Sequence, residues 1–271
     1  MNADELKKLT TESLDHLSAA LAEGHSERLA AMLKAMAQFH RYSFHNVCLI
    51  ARQRPDATRV AGFHAWRKLG RFVRKGEKGI AILAPIVGRK EADAPDGDAK
   101  GVVGFRAAYV FDVAQTAGAP LPEPAEAGGD PGAATDRLKT AIASHGIAVE
   151  YAQGLDGALG TSTGGRIQVL AGLQPASEFM VLAHEFAHEL LHHGDDRPGS
   201  RDTRELEAEA VAFVVGHALG LDVTDAARDY IHLYRGNGAA LAESLSRIQR
   251  TSATILTKLQ IDDDNIEQTA A

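Results

Sequence analysis

The chain has 271 residues, 45% of them apolar, a formal net charge of −7 at pH 7 and a single cysteine, Cys48. That length suits two domains, and the apolar share suffices for packed cores rather than gross disorder. One thiol excludes an internal disulfide and a cysteine-built zinc site, so a metal would have to be held by histidines and carboxylates.

The first residues, MNADELKKLT, lack a signal-peptide pattern, and no run approaches the ~18 apolar residues of a membrane span, so a cytoplasmic protein without a membrane partner is expected. Leu6, Leu9, Leu14, Leu17 and Leu21 recur at roughly helical spacing, and a second helix from about Ser26 puts Leu29, Met32, Leu33 and Met36 on one face. Ser43 is the expected N-cap of a third helix with Val47, Leu49 and Ile50, stopped near Pro55, and a short helix with Phe63, Trp66 and Leu69 ends at Gly70. Residues 79–87 and 102–113 are rich in β-formers and flank the polar loop EADAPDGDAK, which predicts an antiparallel pair. The four prolines and several glycines of 119–136 mark a linker. Beyond it a helix is expected over 135–145, strands over 147–151 and 166–170, and helices over 177–193, 203–219 and 239–259. The reading is an α+β chain of two domains. A helical and antiparallel-sheet domain covers 1–118, a linker 119–134 and a second domain 135–271.

The charge is unevenly spread. Residues 41–78 hold ten Lys/Arg against two acids, +8, which leaves the remainder at −15. Such asymmetry points to a local anion-binding surface. Within it Arg41, Lys68, Arg71, Arg74, Lys75 and Lys78 are candidates to track phosphates, and Tyr42 and Trp66 to stack bases, while Phe44 and Phe63 are expected in the core.

The central motif is His184-Glu185-Phe186-Ala187-His188. Helical positions four apart lie on one face about one turn, ~5.4 Å, apart, so two imidazoles can converge on one ion. Glu185 then sits beside the water that the metal activates and serves as general base. A catalytic zinc needs a third protein ligand. The downstream acidic helix RELEAEA supplies Glu205 as the favoured ligand, with Glu209, one turn on, as the alternative or as an acceptor for a ligand histidine's free N–H. Glu207 points elsewhere. His192 and His193 read as helix-end residues favoured by the dipole. Tyr230, His232 and Tyr234 are candidates to stabilise a developing oxyanion, with ordinary packing the plainer reading. Histidine–carboxylate sites accept several divalent ions, so zinc is expected with manganese or another ion as alternative.

HEFAHELLHH (184–193) and RELEAEAVAFVVGHALGLD (204–222) resemble the gluzincin group, and most nearly the ImmA/IrrE and ArdC-like metallopeptidases. That resemblance implies a metal held by His184, His188 and Glu205, and a substrate backbone paired along the strand that precedes the motif helix. The segment RYSFHNVCLIARQRPDATRVAGFHAWRKLGRFVRKGEKGIAIL with YVFDVAQTAG is similar to the N-terminal domain of ArdC-type antirestriction proteins. The shared features are Tyr42 and Asn46, Phe63 and Trp66, the turn from Leu69 to Gly79, and Val110 to Thr116. The resemblance implies single-stranded-DNA binding, with Asn46 among the contacts. The expected whole is an antirestriction protein with a zinc peptidase acting on a protein substrate. The alternatives are a regulatory protease that cleaves a repressor and a non-catalytic DNA-binding shield with a structural metal.

Overall fold

The computed structural model describes residues 1–89, 100–120, 130–193, 200–223 and 238–259. The first half runs α1 (Ala3–Ala22), α2 (Ser26–Gln38), α3 (Phe44–Gln53), β1 (Val60–Gly62), α4 (Phe63–Lys68), β2 (Arg71–Val73), β3 (Ile80–Arg89), β4 (Lys100–Asp112) and β5 (Thr116–Gly118). The second runs α5 (Ala133–Ser144), β6 (Ala148–Ala152), β7 (Gly160–Ser162), β8 (Arg166–Leu170), α6 (Pro175–Leu191), α7 (Arg201–Ala218) and α8 (Gly238–Lys258). The chain is mixed α and β, and among the described residues no helix is long and apolar enough to cross a membrane.

Packing gathers these elements into two units that part within 119–134, as expected, except that residues 16–44 join the second unit. One holds 1–15 and 45–120, and the other holds 16–44 with the described residues from 130 onward. The physical reason is α2. Its buried stripe, Leu29, Leu33 and Met36, packs on α7 of the second half.

In the first unit, β1, β4 and β3 form an antiparallel sheet in that order, and β2 pairs with β5. Strand β3 lies at the edge, so the outward amide groups of Ala81 and Leu83 need partners. Helix α3 supplies them through two amide side chains seven residues apart. Asn46 donates to the Leu83 carbonyl at 2.9 Å and accepts from its N–H at 2.9 Å; Gln53 does the same for Ala81 at 2.7 and 3.0 Å. The indole of Trp66, fully buried, donates to the Phe111 carbonyl at 2.8 Å.

In the second unit, β8 lies between β6, which it pairs in parallel, and β7, which it pairs antiparallel. The strand before the motif helix is therefore internal, with both edges taken, and cannot also pair a substrate backbone. Strand β7 occupies the edge.

Asn46→Ala removes the partners of two backbone groups at a nearly closed position. We expect a loss of about 1–3 kcal/mol per group left unmatched, read as a lower urea midpoint. An unchanged midpoint would show that water replaces the amide there.

Candidate metal centre

Helix α6 starts at Pro175, favoured at the first turn, and buries Phe179, Leu182, Ala183, Phe186 and Ala187. That leaves His184 and His188 on a neighbouring face, with Nε2 atoms 3.0 Å apart. Helix α7 brings Glu205 up to both: its Oε2 lies 3.6 Å from His184 Nε2 and 3.4 Å from His188 Nε2. Glu209 faces the other side of the first imidazole, 3.4 Å from His184 Nδ1. Four donors at ~2.0–2.1 Å around a tetrahedral ion are separated by about 3.3 Å from one another. The triangle His184–His188–Glu205 has that size, so the donor set fits a small divalent ion. Tyr230, His232 and Tyr234 lie outside the described residues.

Glu185, the next residue, is buried. Burial raises its pKa above the ordinary carboxylate value; His184 opposes that, and the Glu205 and Glu189 charges add to it. His188 is pushed down to about 4, first by burial and then by His184. Burial acts in the same direction on His184, but Glu209, Glu185 and Glu205 outweigh it, and its pKa is raised.

A cleft of about 650 Å³ opens here, with Gly160, Thr161 and Ser162 of β7 along one side. A Cβ on Gly160 would lie 2.5 Å from Val181 Cγ1 and 2.9 Å from Glu185 Oε1, so glycine is what lets β7 run beside Glu185. The β7–β8 turn is pinned to α6 by Glu189. Its carboxylate accepts from the N–H groups of Gly164 (2.9 Å) and Gly165 (2.7 Å) and from Ser162 Oγ (2.7 Å).

Two residues assigned elsewhere on sequence lie against this centre. His192 is no mere helix-end residue: its Nδ1 sits 2.9 Å from His188 Nδ1 and its Nε2 3.2 Å from Glu207 Oε2. Glu207 is wholly enclosed and takes Arg247 of α8, whose Nε lies 3.1 Å from Oε1. Burial works against the Glu207 charge, but His192 and Arg247 hold its pKa low. The acidic i, i+2 pattern of RELEAEA gave no signal for an inward Glu207; the cation that draws it inward is forty residues away.

The basic segment divides. Trp66 and Asn46 are scaffold residues, not DNA contacts, because the first is enclosed and the second is spent on β3. Tyr42 is half-buried and its phenol is pushed up to about 12 by burial; it belongs with Arg41, which is exposed, to the second unit. Arg71 reaches Thr116 and the Ala119 carbonyl, and Arg74 pairs with Glu77 at 2.8 Å. Lys68, Lys75 and Lys78 are exposed. Phe44 is in the core as expected, whereas Phe63 is 46% exposed and Tyr109 51%. Phe63 stands edge-on to Phe111 with ring centres 6.5 Å apart. Gly79 lies under Tyr109 and Phe111, since a Cβ there would be 3.0 Å from Tyr109 Cβ and 3.1 Å from the Phe111 ring. An aromatic ridge thus adjoins Lys78, a surface that the turn of α4 decides: Trp66 faces in and Phe63 out.

Residues 4–111 match the family described as the N-terminal domain of anti-restriction factor ArdC. The N-terminal part of the chain is ArdC-like. Over 93% of its length the whole chain also superposes on crystal structures of the antirestriction ArdC protein from the R388 plasmid, metal-free and Mn(II)-bound, each with a TM-score of 0.52 and 17% identity. The superposition covers 97% and 98% of those two chains, and at this identity it speaks for the fold. An uncharacterized protein of Bacillus anthracis is 24% identical over 98% of this chain, which spans about half, 53%, of that relative.

Asp112 caps the turn Val113–Gln115, accepting from Ala114 N at 2.9 Å while Gln115 accepts from Asp112 N at 2.9 Å. Its other oxygen takes the N–H groups of Thr58 and Arg59.

Glu189→Gln tests the pinning of β7. The amide keeps one acceptor but sets an NH₂ against the glycine donors, and we expect about 1–3 kcal/mol of local protection to be lost at Gly164 and Gly165, read by hydrogen exchange. Burial alone would raise the Glu189 pKa; the Gly165, Ser162 and Gly164 donors outweigh it and hold it low. A depressed carboxylate stabilises the fold above its unfolded pKa, and that contribution is lost as pH falls through the folded value. Wild-type protection at these glycines should therefore fade only below the ordinary carboxylate range of about 4.

Proposed function

We propose that this ArdC-like chain is a single-stranded-DNA-binding protein of antirestriction type that carries a divalent-metal peptidase centre. The observation that carries the peptidase reading is the donor triangle of His184, His188 and Glu205 with a buried carboxylate, Glu185, next to it. The Mn(II)-bound state of the R388 protein supports a divalent ion, and a donor set of two histidines and a glutamate suits zinc as well as manganese. Such an ion supplies Lewis acidity that makes water nucleophilic near neutral pH. Glu185 is the base that takes the water's proton. Its raised pKa brings it nearer the operating pH, where a base both accepts and returns a proton efficiently. The cleft admits an extended peptide of a protein substrate along β7, whose backbone offers the edge that β8 lacks.

The DNA reading rests on charge and exposed aromatics together. Lys75 and Lys78 can neutralise phosphates while Phe63 and Tyr109 stack on unpaired bases, whose faces duplex hides.

Two experiments test these parts separately, both on the full chain. For the centre, zinc content is measured with turnover on candidate DNA-bound proteins. His188→Ala and Glu205→Ala should lose the ion; Glu185→Gln should keep it and lose hydrolysis, because an amide cannot accept the proton. Full stoichiometry in both ligand variants would sink the site, and turnover by Glu185→Gln near the wild-type rate would mean another base. For DNA, fluorescence anisotropy compares labelled single and double strands across a salt series. Lys75→Ala with Lys78→Ala should flatten the log–log salt slope by about 0.7 for each phosphate no longer neutralised. Phe63→Ala with Tyr109→Ala should weaken single-strand binding by about 1–3 kcal/mol per base unstacked with little change of slope. Equal affinity for both strand forms would refute the reading.

A further inference from the structure

The metal reading just given leaves one buried group without a use. His188 has two ring nitrogens, and only the one bearing a lone pair can serve an ion. From the line His188–His192–Glu207–Arg247 we infer that His192 and Glu207 are positioning residues that lock His188 as the Nδ1–H tautomer, with its Nε2 lone pair turned toward His184 and Glu205.

The direction of each hydrogen bond follows from the far end. Arg247 has only donors, and its Nε and Nη2 both meet Glu207 Oε1, so Glu207 is an acceptor there. Glu207 Oε2 faces His192 Nε2 at 3.2 Å, and an acceptor needs a donor, so the hydrogen of His192 is on Nε2. An imidazole whose hydrogen is on Nε2 offers Nδ1 as an acceptor. His188 Nδ1, 2.9 Å from that nitrogen, is then the donor. Its other nitrogen is the one that lies 3.0 Å from His184 Nε2 and 3.4 Å from Glu205 Oε2. His184 is held differently, with Glu209 at its Nδ1. Second-layer partners of this kind fix ring orientation as well as tautomer, and removing one typically costs 10–100-fold in metal affinity.

The test uses the full chain freed of metal. Long-range proton–nitrogen NMR reports the His188 tautomer, and competition with a chromophoric chelator reports Zn²⁺ affinity for the wild type and for Glu207→Gln, His192→Phe and His192→Gln. We expect Nδ1–H at His188 in the wild type. Glu207→Gln and His192→Phe should each bind Zn²⁺ about 10–100-fold more weakly. His192→Gln, whose carbonyl can accept from His188 while its NH₂ donates to Glu207, should recover most of that loss, which mere space-filling would not predict. An Nε2–H tautomer in the wild type overturns the inference, as does a Zn²⁺ affinity within about two-fold of wild type in the two disabling variants. If a variant fails to fold, the wild-type tautomer decides. A wild type that shows Nδ1–H yet takes up no Zn²⁺ would sink the metal reading and leave the positioning intact.

Discussion

Helices α6 and α7 run antiparallel in one register, and the centre depends on that register. His188 meets Glu205 and His184 meets Glu209, four residues back on one helix for four forward on the other. Further along the same seam Met180 meets Gly216, where a Cβ would lie 2.6 Å from the methionine sulfur. Helix axes come within the usual 8–10 Å only if the side chains between them allow it. The facing stripe of α7 changes from carboxylates at Glu205 and Glu209 to Ala212 and then Gly216. The polar end holds the donors, and the small end lets the helices close. A slip of one turn would set Glu209 against His188 and leave Glu205 beyond the pair. The donor triangle and the core packing are therefore the same constraint seen at two ends of a seam.

Around that seam two enclosed carboxylates are matched locally. Glu189 is satisfied by two glycine N–H groups and a hydroxyl, Glu207 by Arg247 and His192. Glu185 differs. The carboxylates of Glu205 and Glu189 raise its pKa, as burial does, and only His184 opposes them. Structural carboxylates are held low and the candidate base is held high, although the three lie within two helices. A group kept under such tension is the one a reaction can use.

Legibility in the sequence follows the range over which each feature is decided. HExxH is decided within one helical turn, so the shared face of His184 and His188 with Glu185 beside it could be read directly, and the expectation of a further donor on a returning helix pointed to Glu205, which the fold brings to both histidines. The inward turn of Glu207 depends on Arg247, and the role of His192 depends on where α6 ends; neither is local. The long helices and the β3–β4 pair carry their own periodicity. The three-residue strands β1, β2, β5 and β7 do not, and without β7 the strand β8 reads as an edge. In the basic segment composition was legible and facing was not. Trp66 and Phe63 are three apart on a short helix whose inward side is settled by the Phe111 carbonyl, and Asn46 is claimed by a strand nearly forty residues on.

The division of the chain bears on how the proposed DNA binding can be studied. A cut at 118 looks natural from the proline-rich stretch that follows it. Yet α2 buries Leu29, Leu33 and Met36, and it packs on α7. The turn after it is held from α8 as well: the Gln249 amide donates to the carbonyls of Phe39 (3.3 Å), His40 (3.4 Å) and Tyr42 (3.1 Å). A fragment ending at 118 would expose an apolar helical stripe and free three carbonyls just where Arg41 and Tyr42 stand. Loosened cations favour unspecific binding to nucleic acid, and exposed apolar surface favours aggregation. DNA affinity measured on such a fragment would mix the native surface with that artefact, and for this reason the strand preference has to be read on the full chain.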